Sequence, residues 1–382
     1  MAVAVALLGF TAAVAVSPST SQPSLTLTSA VAVPTGADLE ARLRAVVDGV
    51  NGRIALRPDG KMFATVSAGT VRVWSTAAGR PTGVPITGIT GTVHAVEFSA
   101  DGELLAVAGD GGVSLWDPAT GERSGAPLTG HTGAVRTVSF SSTGKLMATG
   151  GDDGTARLWD PATGRLVHTL TGHTGAVRNV VFSRNGKRLA TTGADDTVRL
   201  WQPTTGRPIG EPRTVAPGPV YAMSFSPDGR LLAASGGGNT VRLWNPITGE
   251  PAGVPLTGSS GPVLGLTFSL GHKLLATSSG GDSTVQVWNT TTRRPAIAPL
   301  TGHNRPVRAM RFARGGELLV TGSDDGTVRL WNTETGAAEA APLTGHTGPV
   351  WSLRINASGK RLVTAGADGK VRLWHITDED PA

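Results

Sequence analysis

Several residue types are scarce or missing in this 382-residue chain, and each absence excludes a class of chemistry. Cysteine is absent, so neither disulfides nor thiolate chemistry is available. The motifs of a phosphate-binding P-loop, a GxSxG nucleophile, an HExxH metalloprotease and a zinc site are also missing. Charged residues make up only 16% of the chain. We therefore expect no enzymatic activity, no cofactor and no bound metal.

Glycine is abundant instead, with 53 residues, and it accompanies tryptophan in a regular repeat. The stretch LTGHTGAVRTVSFSSTGKLMATGGDDGTARLWD, residues 128–160, has the composition of three short strands joined by glycine turns. Copies of this stretch end at Trp74, Trp116, Trp159, Trp201, Trp244, Trp288, Trp331 and Trp374. Their spacing of 42 to 44 residues is typical of a repeat array built from small sheets.

The repeat begins with Gly130-His131 and ends with Leu158-Trp159-Asp160. These residues are similar to the GH…WD signature of the WD-repeat family. The segments WDPATG and PLTGHTG, and the excess of arginine over lysine, resemble the actinobacterial members. The resemblance covers roughly residues 50 to 376. It implies an all-β, eight-bladed β-propeller of four-stranded antiparallel blades around a central channel. We assign residues 50–382 to this domain.

Four repeats carry the same polar set, which consists of a histidine, a threonine, an aspartate and the terminal tryptophan. A hydrolase also combines histidine, hydroxyl and aspartate, but a catalytic set occurs once, whereas this one recurs once per blade. In the resembled family it forms a structural network that ends on the tryptophan indole. The sets are His131, Thr149, Asp153 and Trp159; His173, Thr191, Asp195 and Trp201; His303, Thr321, Asp325 and Trp331; and His346, Thr364, Asp368 and Trp374.

Residues 1–16 form an apolar N-terminal segment that is shorter than a bilayer span. A secretory signal normally has a basic first region, and no lysine or arginine precedes Arg42. The segment fits a signal peptide, the remnant of a membrane anchor that begins upstream, or a misassigned start. We favour membrane association or export over a cytoplasmic location.

Residues 17–49 are interpreted as a linker with two candidate elements. Residues 24–33 alternate like a strand, and residues 37–48 have the apolar stripe and early acidic residues of a short helix. The last repeat ends so close to Ala382 that it has no outer strand of its own, and an open sheet edge exposes unpaired backbone groups. We expect residues 24–33 to supply that strand, with residues 42–47 as the alternative.

One position near the start of each repeat is a candidate for partner binding. The resemblance places it at the rim of the channel, on the face used for recognition. Tyr221 is the only tyrosine, and Trp351 is the only tryptophan that does not end a repeat. Tyrosine, tryptophan and arginine are enriched at binding hot spots, so we expect an acidic or aromatic segment to bind here. The alternative is that these side chains only cover the rim. The rim residues are His94, Arg136, Arg178, Tyr221, Leu264, Arg308 and Trp351.

The resemblance implies a monomeric, non-enzymatic scaffold that binds proteins or peptides in signalling or complex assembly. Two alternatives stay open: an exported or membrane-tethered propeller that binds surface ligands, and a propeller enzyme of the quinoprotein type. In the latter, tryptophan follows a Thr-Gly pair, whereas here Trp116 precedes Thr120-Gly121. The net charge is 34 − 28 = +6, but the arginines are spread over the repeats, so we do not expect nucleic acid as a partner.

Overall fold

The computed structural model describes residues 25–26, 39–215, 218–271 and 273–378. Within these ranges the regular structure is strand, apart from one 3₁₀ turn. The second strand of a repeat is typically buried along its whole length, as in the segment LATTG at residues 189–193. Such a strand has a partner on both sides, which explains its small and β-branched residues and the absence of alternation.

The strands of the first half follow the repeats in order. Two strands precede the first repeat, β1 (Leu25–Thr26) and β2 (Leu39–Val47). The first four blades contain β3 (Ile54–Leu56), β4 (Met62–Ser67), β5 (Thr70–Ser75) and β6 (Pro81–Ile86); β7 (Val93–Phe98), β8 (Leu105–Gly109) and β9 (Gly112–Trp116); β10 (Val135–Phe140), β11 (Met147–Gly151), β12 (Ala156–Asp160) and β13 (Arg165–Leu170); and β14 (Val177–Phe182), β15 (Leu189–Gly193), β16 (Thr197–Gln202), β17 (Arg207–Pro208) and β18 (Arg213–Thr214).

The second half continues in the same way. Its elements are β19 (Ala222–Phe225), β20 (Leu232–Ser235), β21 (Thr240–Trp244) and β22 (Leu256–Thr257); β23 (Val263–Phe268), β24 (Leu274–Ser279) and β25 (Val285–Asn289); β26 (Val307–Ala313), the 3₁₀ turn η1 (Arg314–Gly316), β27 (Leu318–Ser323) and β28 (Val328–Asn332); and β29 (Val350–Ile355), β30 (Arg361–Gly366) and β31 (Val371–Asp378). The result is an eight-bladed β-propeller of four-stranded antiparallel blades, as the sequence predicted.

Contacts within the chain define two compact units. One is Gly88–Pro255, which contains β7 to β21, and the other comprises residues 39–87 and 256–378 with the remaining blades. Within each unit the first strands of successive blades pack side by side: β7, β10, β14 and β19 in one, and β23, β26, β29 and β3 in the other. The terminal tryptophan of a blade packs against the preceding blade, so that Trp201 shares a core cluster with Leu158. Each blade is therefore stabilised mainly by its neighbours.

The outermost strand is irregular in three blades. The segments 123–128, 295–300 and 338–343 form two isolated bridges each with the third strand, such as Val113 with Leu128 and Trp116 with Arg123. In all three segments a proline stands directly before the last residue, which is the leucine that forms the second bridge along the chain. Proline has no N–H to donate to a neighbouring strand, which explains why these edges do not form continuous ladders.

The last blade is completed by the N-terminal region. β2 pairs antiparallel with β31 from Leu39 opposite Asp378 to Val47 opposite Val371, so that the sheet order is β1-β2-β31-β30-β29. Closure by an N-terminal strand was therefore predicted correctly. The alternative segment, residues 42–47, lies within β2 and pairs with β31, whereas the favoured segment, residues 24–33, does not take that place. β1 pairs with β2 and not with β31, and residues 27–33 lie outside the described residues.

The short helix predicted for residues 37–48 is also wrong, because Leu39–Val47 is a strand. Its buried residues include Leu39, Ala41, Ala45 and Val47, which fits alternation interrupted by one irregularity at Arg44. The unpaired edge of β31 offers this segment a full ladder of hydrogen bonds. The free energy gained by pairing with β31 outweighs the weak local preference for a helix. The predicted segment 1–16 lies outside the described residues.

Candidate binding surface

The predicted polar sets come together in four blades with nearly the same geometry. In the third blade, His131 Nδ1 lies 2.9 Å from Asp153 Oδ2 and His131 Nε2 lies 2.8 Å from Thr149 Oγ1. The Trp159 indole N–H donates to the same Thr149 hydroxyl at 2.9 Å. Corresponding contacts link His173, Thr191, Asp195 and Trp201; His303, Thr321, Asp325 and Trp331; and His346, Thr364, Asp368 and Trp374.

The direction of the hydrogen bonds in the third blade follows from the tryptophan. Indole only donates, so the Thr149 oxygen accepts from Trp159, and its own hydrogen is free to point at His131 Nε2. His131 then carries its proton on Nδ1 and donates it to the Asp153 carboxylate. This tautomer is neutral, and burial lowers the pKa of His131 although Asp153 acts to raise it.

Asp153 is the charged end of this network. Burial alone would raise its pKa, but hydrogen bonds from the Thr155 backbone, from His131 and from the Thr155 hydroxyl outweigh burial and lower the pKa to about 2. The ionised carboxylate therefore fixes the loop that carries His131 to the turn before β12. Every donor in the set has an acceptor, so the arrangement is structural and leaves no hydroxyl free for attack.

The repeated arginines also have structural partners. The Gly172 of a Gly-His pair has φ +140°, and a Cβ there would lie 2.6 Å from Arg199 Nη1. Glycine is thus required both by the backbone conformation and by the close guanidinium. Gly302 has the same relation to Arg329, whose guanidinium also lies 5.9 Å from the centroid of the Trp331 ring. Because these arginines pack within the blades, they do not contribute to an exposed basic surface.

The rim residues share a geometry that the sequence did not predict. In the first strand of six blades, the second residue is skipped by the pairing with the next strand: Val135 faces Gly151 and Thr137 faces Gly150, which leaves Arg136 between them. A β-bulge of this kind turns a side chain away from the regular pleat and is frequent beside functional sites. The bulged residues are His94, Arg136, Arg178, Leu264, Arg308 and Trp351.

In the unit formed by Gly88–Pro255, two rim residues belong to one ionic network. His94 is buried, and its Nε2 lies 2.6 Å from Asp110 Oδ1 and 3.0 Å from Arg136 Nη1. Arg136 Nε donates to Asp152 at 2.8 Å, and its Nη2 contacts the same carboxylate. A backbone hydrogen bond from Thr92 and then the contact with His94 lower the pKa of Asp110. The side-chain charges at these two rim positions are therefore already balanced by Asp110 and Asp152 within the protein.

Two other rim residues of this unit, Arg178 and Tyr221, do not take part in this ionic network. Arg178 is exposed, and the position that holds Asp152 in the preceding blade is Ala194 here. Its guanidinium has no acidic partner among the described residues of its blade. Tyr221 is half-buried, and its backbone N–H donates to Ser235 O at 2.8 Å. Arg178 is thus the rim arginine of this unit that remains available to an acidic group.

In the unit formed by residues 39–87 and 256–378, the rim offers one large apolar group. Trp351 is 42% exposed, whereas the other eight tryptophans are buried. Its ring lies against Gly52, where a Cβ would come within 3.1 Å of Trp351 Cε3. On the neighbouring first strand, Arg308 forms a two-pronged ion pair with Asp324, at 2.9 Å from Nε and 2.8 Å from Nη2. Leu264 is buried against Gly280.

The role of Asp110 was missed at the sequence level. Counted back from Trp116, Asp110 takes the place of the structural aspartate, but its backbone N–H donates to Thr92 O as that of Asp152 does to Ala134 O. It is therefore the rim acid of the second blade, and its turn is one residue shorter than in the third. A histidine and an aspartate sixteen residues apart, like Arg136 and Asp152, were the available signal.

Two further observations concern the described residues only. They include no group of three or more histidine, aspartate or glutamate side chains arranged to hold a metal ion. No helix among them has both the length and the apolar character required to cross a bilayer.

Repeated four-stranded blades fixed by a His-Thr-Asp-Trp network define a class of protein, and the comparisons agree with that class. The family model described as IFT122 first beta-propeller matches residues 92–279, and the model described as WD domain, G-beta repeat matches residues 295–332 and 339–375. The chain belongs to the WD-repeat β-propeller family. Proteins of this kind generally act as scaffolds that bind proteins or peptides, and they are typically not enzymes.

Structural comparison gives the same architecture. The crystal structure of the computationally designed Ika8 protein is similar, with a TM-score of 0.74 and 26% sequence identity over 86% of this chain and 97% of that one. No curated protein matches the sequence. Matching chains of known structure number 1914, so likeness of this kind identifies a widespread architecture and does not select a particular partner.

Proposed function

We propose that this protein is a non-enzymatic scaffold for signalling or complex assembly and that it binds a protein segment through Trp351 and the adjacent rim. The observation that carries the proposal is the exposure of Trp351 on a bulged residue of β29. Tryptophan buries a large apolar area on binding and is among the commonest hot-spot residues.

The surroundings of Trp351 favour a segment that is apolar with mixed charge. The ring rests on Gly52, so it is held in place before a partner arrives and loses little side-chain freedom on binding. Arg308 is paired with Asp324, so this part of the rim presents both charges side by side. A purely acidic segment would have to compete with Asp324 for the guanidinium. Of the two expected ligands, an acidic or an aromatic segment, we therefore favour the aromatic or apolar one with flanking polar groups.

The test is a selection of peptides from a displayed random library against the wild-type protein. Selected peptides are then measured against Trp351→Ala and, as a control, Ile247→Ala, which truncates another exposed apolar side chain in a different loop. We expect Trp351→Ala to weaken binding by about 2 kcal/mol or more, which is roughly 30-fold, and Ile247→Ala to leave it unchanged. A library that yields no wild-type binder, or peptides that bind both variants like the wild type, contradicts the proposal.

A further inference from the structure

The strand β2 carries an irregularity at Arg44. Leu43 faces Trp374 and Ala45 faces Leu373 on β31, so Arg44 is the extra residue of a β-bulge. The bulge turns its guanidinium towards His375, whose Nδ1 lies 3.4 Å from Arg44 Nη2. Because a guanidinium only donates, His375 Nδ1 is the acceptor and the ring carries its proton on Nε2. The imidazole therefore has a donor left for another group.

A second arginine adjoins the same imidazole. Arg361 on β30 is the direct cross-strand partner of His375 on β31. A protonated imidazole would stand directly opposite a like charge here, so the pairing favours the neutral form of His375. Burial first, and then the charges of Arg361, Arg44 and Lys360, lower the pKa of His375. Burial and the charge of Arg44 likewise lower the pKa of Arg361.

No carboxylate among the described residues forms an ion pair with Arg44, Arg361 or His375. The nearest acid along β2, Glu40, is bound to Arg42 at 2.7 Å, and Arg42 is the residue of β2 opposite His375. Basic groups thus face the imidazole from β2, from β30 and from the turn before β30. Surface cations are ordinarily balanced by nearby acids, and here the balancing charge is not supplied by the blade.

These side chains enclose a recess. Arg44, Arg361 and His375 line it together with Thr76, which follows β5, and its volume is about 70 Å³. A water molecule needs roughly 10–15 Å³ of such space, so the recess has room for several waters or one small ion. The Thr76 hydroxyl donates to Gly60 O at 2.6 Å, so its hydrogen is already committed. The three basic side chains that line the recess have no acidic partner among the described residues, although Arg361 Nη1 lies 3.4 Å from Lys360 O.

We propose that Arg44, Arg361 and His375 form a binding site for a phosphate-type oxyanion at the junction of β2 and the last blade. Guanidinium groups match the geometry of tetrahedral oxyanions, and the imidazole Nε2–H adds a third donor. The size of the recess suits a free phosphate or the terminal phosphate of a small monoester. The bound anion would join β2 to β30 and so stabilise the closure of the propeller.

The first experiment titrates the wild-type protein with inorganic phosphate at constant ionic strength and follows the melting temperature. Binding to the folded state raises the melting temperature in a saturable way. Arg44→Gln and Arg361→Gln should each weaken phosphate binding at least tenfold. Arg294→Gln, which removes an exposed arginine of the sixth blade, is the matched control and should bind like the wild type. Glycerol 3-phosphate in place of phosphate distinguishes an esterified from a free anion.

A second measurement distinguishes the loss of the anion site from a general loss of stability. Since the charges of Arg44 and Arg361 repel each other, each glutamine variant without phosphate should melt at or above the wild-type temperature. Sulfate keeps its charge over the range in which histidine titrates, so it should bind the wild type more tightly below about pH 6 than near pH 8, and His375→Gln should lose this dependence. The proposal is overturned if phosphate leaves the wild type unchanged, if Arg361→Gln responds like the wild type, or if both glutamine variants melt lower.

Discussion

The polar network of the seventh blade makes a quantitative prediction about Asp325. Its carboxylate accepts from His303 Nδ1 at 2.9 Å, from the Asn304 N–H at 3.2 Å, and from the Thr327 N–H and hydroxyl at 2.8 and 2.7 Å, and it is 6% exposed. Asp325→Ala removes the acceptor of all four hydrogen bonds. A buried donor left without a partner costs about 1–3 kcal/mol, and water entering the cavity would relieve part of this. We expect a loss of about 3 kcal/mol.

The neighbouring residue provides a matched control. Asp324→Ala removes the same side chain one residue earlier, but breaks only a partly exposed ion pair with Arg308. Such pairs contribute about 1 kcal/mol or less. Urea unfolding followed by tryptophan fluorescence compares the two variants at neutral pH. Equal losses in both, or no loss in Asp325→Ala, would refute the structural role assigned to the network.

Three further predictions concern stability. Ala45→Pro in β2 should cost about 3 kcal/mol or more in urea unfolding, because proline removes a ladder hydrogen bond, whereas deletion of residues 1–24 should change the unfolding midpoint little. Because the folded-state pKa of Asp153 is lowered to about 2, its contribution of roughly 1–2 kcal/mol is present above about pH 4 and lost as the pH falls towards 2; Asp153→Asn should flatten this part of the acid profile. Gly172→Ala should lower the melting temperature, because its φ of +140° is a backbone conformation that alanine rarely adopts; unchanged melting would contradict this conformational requirement.

The blade count and the network were predictable because both depend on local spacing. Each repeat must place a tryptophan at the same point of its third strand, so the period survives wherever the rest of the repeat varies. The His, Thr and Asp positions keep fixed distances from that tryptophan in the four complete repeats. In the second blade the turn is one residue shorter, so Asp110 stands six residues before Trp116, where the complete repeats hold the structural aspartate, although it occupies the rim position.

The closing strand was not predictable to the residue, because its conformation depends on a partner about 330 residues away. The apolar pattern of residues 37–48 is compatible both with one face of a helix and with a strand that contains one bulge. Only the open edge of β31 decides between them. The bulged geometry of the rim residues was missed for a related reason, since a bulge is defined by the register with the next strand and not by residue type.

Acrylamide quenching of tryptophan fluorescence tests directly whether a partner covers Trp351. Eight of the nine tryptophans are buried, so collisional quenching reports mainly on Trp351. We expect quenching of the wild-type protein to fall when a selected peptide binds, and Trp351→Phe to show little quenching with or without the peptide. Undiminished quenching in the saturated complex would mean that the peptide binds elsewhere and that Trp351 is not the binding residue.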